Sequence, residues 1–249
     1  MNMRADQLLV ERGLAATRSQ AQRLIAAGVR WLGAGGWRPV AKNGDEIPPH
    51  AQVELLDAGE ARYVSRGGLK LEGALRESGI DVRGKACLDV GQSTGGFTDC
   101  LLQHGAARVT GVDVGHGQLH DKLRQDPRVV ALEKINAREL AREQVGGDFD
   151  LAAGDLSFIS LTLVMPALVP LVKEGGDLLM LVKPQFELQP AQIGKGGIVG
   201  DPSLHAQAEQ RVRDCCARLD LSVCGWFPSP ITGGDGNREF FIHARRGPA

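Results

Sequence analysis

Aromatic residues are scarce in this chain: one tyrosine, three tryptophans and seven phenylalanines stand in 249 positions. At 4% of the composition they are too few to suggest a stacking platform for single-stranded nucleic acid. Cysteine is scarce as well. Cys87, Cys100, Cys215, Cys216 and Cys224 make an odd number without a CxxC pair, so neither a zinc site nor a disulfide framework is supported. That usage suits a reducing, cytoplasmic setting. Apolar runs never approach the roughly 18–20 residues that a membrane helix requires, and Met1–Asp6 leads into a polar segment, not an apolar signal core. No metal is expected, because His104, His116, His120 and His205 lack ligand spacing. The G-x-S-x-G elbow is missing, which disfavours a hydrolase. So is the phosphate-gripping G-x-x-x-x-G-K-[ST] pattern, for which Gly194-Lys195-Gly196 is no substitute.

What remains is the composition of a soluble globular protein, with 43% apolar and 24% charged residues. Its near-neutral total of −1 hides an asymmetry. Through Lys42 the chain carries seven basic residues against Asp6 and Glu11, a local charge of +5. A basic end on a neutral chain points to a polyanion, although scattered surface arginines would give the same count.

The first sixty residues read as a unit. Asp6 is placed to cap a short helix carrying Leu8, Leu9 and Val10, which Gly13 ends. Thr17-Arg18-Ser19-Gln20 reads as a capping box opening a second helix, with Ala21, Leu24 and Ile25 on its buried face and Arg18, Gln22 and Arg23 turned outward. Val29–Leu32, Trp37–Val40 and Gln52–Leu56 are strand-like runs between turn signals. A polar connector, Ala58–Arg62, follows. The division expected is a small domain over 1–60, a linker over 61–65 and a larger domain over 66–249.

In the larger domain, short apolar runs alternate with helical stretches: Ala86–Val90, Val109–Val112, Val129–Leu132, Phe149–Ala153 and Leu178–Val182, then Ser222–Phe227 and Glu239–His243. Continuous apolar strands alternating with helices predict an α/β fold, a seven-stranded, mostly parallel Rossmann-like sheet covered on both faces.

The most informative segment is Asp89-Val90-Gly91-Gln92-Ser93-Thr94-Gly95-Gly96-Phe97, a strand, a glycine-rich turn and a helix start. Its spacing is not the dinucleotide G-x-G-x-x-G, because position 93 is serine. A carboxylate two residues before the first glycine, then a wide turn, suits S-adenosylmethionine, a cationic ligand without phosphates. Asp89, Gly91, Ser93, Gly95, Gly96 and Phe97 are the loop candidates. Asp113, at the end of the next strand, is placed to accept from ribose hydroxyls, and Asn136, after the third strand, to meet the adenine edge. A tight turn with Asp113 as a helix cap is the bland alternative. Four further residues fall at predicted strand ends or just before the sheet: Lys70, Asp155, Lys183 and Glu239. Asp155 is counted among the cofactor candidates as well. A lysine closing the apolar strand Leu178–Val182 is costly unless it reaches a polar partner, so a structural ion pair competes with a catalytic role.

Two resemblances organise these observations. Arg4-x-Asp6-x-Leu8-Leu9, Gly13, Thr17–Ala21 and Leu24-Ile25-x-x-Gly28-Val29 resemble the small RNA-binding module of the ribosomal S-four type. That resemblance implies phosphate-facing arginines, here Arg4, Arg18 and Arg23, with Arg66 near the second domain. The module's usual Val-Asn-Gly is replaced by Trp31–Gly36, which leads one to expect an altered first strand and turn. The set Lys70, Asp155, Lys183 and Glu239 resembles the Lys-Asp-Lys-Glu tetrad of FtsJ-type ribose 2′-O-methyltransferases. With Ser65–Leu71, Asp89–Asp99, Asp155–Ser160, Lys183–Glu187 and Lys195–Val199 included, the chain from about Arg4 to His243 is similar to the TlyA family. The resemblance implies methylation of cytidine 2′-hydroxyls in ribosomal RNA, with S-adenosylmethionine as cofactor and ribosomal RNA or ribosomal subunits as partners. In that chemistry Lys183 accepts the hydroxyl proton or orients the hydroxyl, while Lys70 and Glu239 hold the nucleotide and Lys183. Burial and Lys70 favour a neutral Lys183; Asp155 and Glu239 oppose it. A non-catalytic ribosome-binding protein is the alternative. A membrane-active hemolysin is another, disfavoured by the absence of any lytic or spanning segment. Oligomeric state is not legible.

Overall fold

The computed structural model describes residues 2–56 and 62–247, so all but Arg62 of the connector expected at Ala58–Arg62 lies outside the described residues. Two compact units form, Met1–Leu69 and Lys70–Ala249, and the division falls inside the helix Gly67–Ser78. On the described side of the expected linker, Tyr63 is buried, and its carbonyl accepts from Gln20 Nε2 at 3.1 Å.

The described residues of the first unit form helices Ala5–Glu11 and Arg18–Gly28 and the short strands β1 (Met3–Arg4), β2 (Val29–Gly33), β3 (Gly36–Pro39), β4 (Glu46–Ile47) and β5 (Val53–Leu55). β3, β2 and β5 form one antiparallel sheet, and β1 pairs with β4. Leu8, Leu9, Ala21, Leu24, Ile25, Val29 and Ile47 close a core between helices and strands. The expected cap at Asp6 is not formed. Arg4 holds the cap position, and Asp6 lies inside the helix, fully buried, accepting from Arg4 Nε at 3.1 Å and Arg18 Nη2 at 2.8 Å. Two charge-assisted bonds outcompete the helix N–H groups for this carboxylate. Arg4 first, and then Arg18 and Gln22, hold it well below the usual carboxylate range. Arg18 is therefore folded onto Asp6, not simply turned outward. Thr17 does cap, accepting from Gln20 N at 3.2 Å, but Gln20 Oε1 takes Ala16 N at 2.7 Å, which leaves the box half made. The strand expected to be altered is regular: Gly33 pairs with Gly36 across a two-residue turn, and Arg30 lies 4.7 Å over the Trp37 ring.

The second unit carries β6 (Ala86–Val90), β7 (Arg108–Asp113), β8 (Val129–Glu133), β9 (Phe149–Gly154), β10 (Val172–Val182), β11 (Leu221–Pro228) and β12 (Phe240–Arg246). Their order is β11-β12-β10-β9-β6-β7-β8. Five strands, β10 through β8, run parallel; β12 is antiparallel to β10 and β11 antiparallel to β12. The chain leaves the central strand β6 toward β7 and β8, then returns to its other side at β9. That reversal opens a crevice beyond the carboxyl ends of β6 and β9, where open α/β sheets bind ligands. Because β12 runs the other way, its first residues share that edge, with Val182 opposite Phe240 in the register. Leu88, Val90, Phe149, Ala152, Val164, Met165, Leu178, Met180, Val212 and Ile242 are all buried on or against the sheet. β10 begins six residues earlier than its apolar run suggests, since the register with β9 breaks between Val172 and Asp177 and the polar Lys173–Gly176 bulges out.

Candidate active site

The loop after β6 turns sharply. Gly91 has φ +85°, and its amide and that of Gln92 both donate to Val112 O on β7, at 2.9 and 3.1 Å. A Cβ on Gly91 would stand 2.7 Å from the backbone oxygen of Asp155, so only glycine lets the β6 and β9 ends approach this closely. Ser93 then adopts φ 47° and donates its N–H to Asp113 Oδ2 at 2.8 Å. Gly115 N holds the other carboxylate oxygen at 2.7 Å. Asp113 is thus fixed at the tip of β7 with acceptor capacity to spare.

Beneath this edge lies a cavity of about 370 Å³ lined by Gly91, Ser93, Asp113, Ile135, Asp155 and Phe158, among others. Among the described residues, its walls present two carboxylates, several apolar side chains and no lysine or arginine. Such a lining would repel a pyrophosphate and accommodates a cationic, phosphate-free nucleoside, so the residues present fit S-adenosylmethionine. Of the expected cofactor residues, Gly91, Ser93, Asp113 and Asp155 line it. The other loop candidates do not. Asp89 is fully buried behind the turn, accepting from Thr98 Oγ1 at 2.6 Å, and burial pushes its carboxyl up to about 7. The space beside Gly95 is filled by Leu123 and Leu119, whose Cδ1 atoms would meet a Cβ at 2.3 and 2.8 Å. Gly96 and Phe97 are buried in the first helical turn, where Phe97 faces Phe241 with ring centroids 6.2 Å apart. Asn136 spends its side chain on its own turn, accepting from Arg138 N at 3.1 Å, while its neighbours Ile135 and Ala137 line the cavity.

The four strand-end residues converge. Lys183 Nζ lies 2.6 Å from Asp155 Oδ1, Lys70 Nζ 3.6 Å from Asp155 Oδ2, and Lys70 Nζ 2.6 Å from Glu239 Oε2. Alternating charges form a continuous, electrically balanced chain, Glu239–Lys70–Asp155–Lys183. Both lysine side chains are about nine-tenths buried, at 10% and 9% exposure. Each needs its carboxylate, since an unpaired charge at that depth is strongly disfavoured.

Sequence reasoning missed the supports. Ser157 Oγ accepts from Lys183 Nζ at 2.8 Å. Glu187, buried four residues after Lys183, accepts from Ser160 Oγ at 2.5 Å and Leu161 N at 2.7 Å, tying the Lys183 segment to the Asp155 segment. Burial raises its carboxyl above the ordinary value, against those two bonds. Asn237 bridges Gly197 O and Val199 N, at 2.9 and 2.8 Å, and so fixes the loop that delivers Glu239. Gln92 lies over Gly111, where a Cβ would meet its amide carbon at 2.0 Å. A glycine inside the apolar β7 run was the one available signal for that contact.

A family described as FtsJ-like methyltransferase matches residues 63–246. The chain belongs to the FtsJ-like methyltransferases. This methyltransferase is 46% identical over 243 residues to the 16S/23S rRNA (cytidine-2′-O)-methyltransferase TlyA of Mycobacterium tuberculosis, covering 97% of this chain and 89% of that protein. It is 38% identical over 247 residues to Hemolysin A of Brachyspira hyodysenteriae, covering 97% and 99%. A solved structure described as a hemolysin from Streptococcus thermophilus superposes with a TM-score of 0.77 at 42% identity, covering 100% of this chain and 90% of that one. An S-adenosylmethionine-dependent methyltransferase from Listeria monocytogenes shares the fold, with a TM-score of 0.54 at 14% identity over 72% of this chain and 100% of that one. The cofactor of this FtsJ-like methyltransferase is S-adenosylmethionine, and its candidate pocket is the acidic cavity beside the tetrad.

Proposed function

We propose that the chain methylates the ribose 2′-hydroxyl of a cytidine in ribosomal RNA. The observation that carries this reading is the balanced chain Glu239–Lys70–Asp155–Lys183 at the rim of a cavity suited to S-adenosylmethionine. Asp113 and Ser93 would hold the nucleoside part. Bound there, S-adenosylmethionine would supply an electrophilic methyl group with the sulfur as its leaving group. The protein's task is to align the ribose oxygen and take charge of its proton. As an ammonium Lys183 would orient the hydroxyl, and as the neutral amine it would accept the hydroxyl proton, with Asp155 beside its nitrogen in either case. Lys70, clasped between Glu239 and Asp155, positions Asp155 and presents its remaining donor capacity to the nucleotide.

RNA as the substrate is supported by the first unit. Arg4 and Arg18 are exposed yet anchored on the buried Asp6, and Arg23 lies on the same helix as Arg18. With Arg66 they can supply affinity for a phosphate backbone that falls with salt and carries little base choice. The relative named for cytidine 2′-O-methylation spans nearly the whole chain, and ribosomal RNA or a ribosomal subunit is the partner this implies, in the cytoplasm. No helix among the described residues is long and apolar enough to cross a membrane, and nothing in the site favours a lytic role. Incubating the full-length chain with methyl-labelled S-adenosylmethionine and ribosomal subunits, then mapping alkali-resistant linkages, tests the reading. A 2′-O-methylcytidine is expected. Label confined to a base, or absent from RNA, refutes it.

A further inference from the structure

Lys183 differs from Lys70 in one respect that the tetrad alone does not explain. Lys70 reaches only carboxylates, whereas Lys183 also donates to a neutral hydroxyl, that of Ser157. Ser157 sits two residues beyond Asp155, on the exposed rim of the cavity, and its oxygen is 2.8 Å from Nζ while Asp155 Oδ1 is 2.6 Å away. A lysine nitrogen has three directions besides its carbon stem. In the ammonium all three are N–H donors; in the neutral amine two are N–H and one is a lone pair.

We propose that Ser157 is a positioning residue for methyl transfer: its hydroxyl accepts the one hydrogen bond that the Lys183 nitrogen makes among the described residues, while Asp155 pairs with that nitrogen by charge, so that the directions left over are turned to the substrate hydroxyl. The consequence depends on protonation only in detail. In the charged form a remaining N–H orients the ribose oxygen. In the neutral form one N–H stays with Ser157, and the lone pair is available for the hydroxyl proton. An ion pair alone leaves the nitrogen free to spin about the Cε–Nζ bond. The directional bond to Ser157 stops it.

The inference rests on Lys183 serving the proposed 2′-O-methyl transfer, so its test carries a readout independent of turnover. Full-length protein labelled with ¹⁵N-lysine is compared as wild type, Ser157→Ala and Ser157→Thr, with the Lys183 signal assigned by its loss in Lys183→Arg. Proton exchange at the Lys183 nitrogen should be at least severalfold faster in Ser157→Ala and return to the wild-type rate in Ser157→Thr, which keeps the hydroxyl. In parallel, S-adenosylmethionine affinity should stay within about threefold, since Ser157 is one rim residue of many. Single-turnover methyl transfer should fall on the order of ten- to a hundredfold in Ser157→Ala, with the RNA KM little changed, as expected for misaimed but still bound groups. The Ser157→Thr variant should transfer at the wild-type rate. Unchanged exchange at Lys183 overturns the proposal, as does exchange that changes while transfer stays at the wild-type rate. If exchange behaves as expected but even the wild type transfers no methyl to RNA, the geometry stands and the functional reading falls.

Discussion

Replacing Lys183 by methionine removes the ammonium and keeps the stem's bulk. Asp155 then keeps only Lys70, at 3.6 Å, a contact too long for a good hydrogen bond. Breaking a buried pair by deleting one partner costs about 3–5 kcal/mol, but Asp155 is 21% exposed and can rehydrate in part, so about 1–3 kcal/mol of stability is the expected loss. At roughly 2–4 °C per kcal/mol for a chain of this size, the melting temperature should drop by a few degrees to about 10 °C. The protein stays folded, and the functional effect can be read. Loss of a positioned proton acceptor typically costs about 10²–10⁴-fold in rate, about 3–5.5 kcal/mol of activation free energy. Affinity for S-adenosylmethionine should not weaken, because a cation has been taken from beside a site for a cationic ligand. Lys183→Arg separates the two roles. Arginine retains the charge and the Asp155 pair but cannot give up its proton. If Lys183 takes the hydroxyl proton, the arginine variant is as inactive as the methionine one; if it only steers, the arginine variant retains clearly more. The assay is labelled-methyl incorporation into ribosomal RNA in single turnover, beside calorimetry for the cofactor. Undiminished transfer in Lys183→Met would sink the mechanism altogether.

Gly91→Ala forces a Cβ into φ +85° and to 2.7 Å from Asp155 O, and since both sides of that contact are backbone, Asp155 must move. A loss of about 1–3 kcal/mol is expected from the strain, with cofactor affinity and methyl transfer falling together; an alanine variant that binds S-adenosylmethionine normally shows that the close approach is dispensable. Asp89 gives a pH prediction. Burial raises its folded-state value from 3.8 to about 7, so its contribution is full below about 4 and is lost as pH rises to about 7. The Asp89→Asn variant stays neutral at this position throughout. Melting curves of the two proteins should therefore diverge between about pH 4 and 7, the wild type losing stability relative to Asp89→Asn by roughly 1.4 kcal/mol per pH unit at most; parallel curves would mean that Asp89 ionises freely in the folded state.

Much of the second unit was legible because parallel strands buried on both faces leave unbroken apolar runs. Ala86–Val90 matches its strand residue for residue. β10 did not read to its start, since Lys173–Gly176 is a polar bulge and periodicity cannot distinguish a bulge from a loop. β1 and β4, two residues each, have no period to detect. Asp6 misled for another reason. A carboxylate at a helix start is ambiguous between cap and ion-pair hub, and Arg18, twelve residues on, decides it only in three dimensions. Within the site, the four charged residues stood out because Asp155 and Lys183 come one position after a strand and Glu239 one position before one. Ser157, Glu187 and Asn237 did not. Their contacts join segments 26 to 40 residues apart, and their residue types carry no chemistry that announces itself in one dimension.

Asp155 is where the two halves of the site meet. Its side chain belongs both to the cavity lining and to the ion-pair chain, with one oxygen 2.6 Å from Lys183 and the other 3.6 Å from Lys70. A cationic ligand and two lysines would otherwise repel one another across a partly dry pocket, where charges a few ångströms apart interact far more strongly than in water. In the proposed reaction, a shared carboxylate between them would let the lysines approach the reacting oxygen without expelling the cofactor. The close packing of Gly91 on Asp155 O fixes the height of that carboxylate relative to the loop after β6, so that in the proposed reaction the groups aligning the hydroxyl and those holding the methyl donor would be set by the same backbone contact.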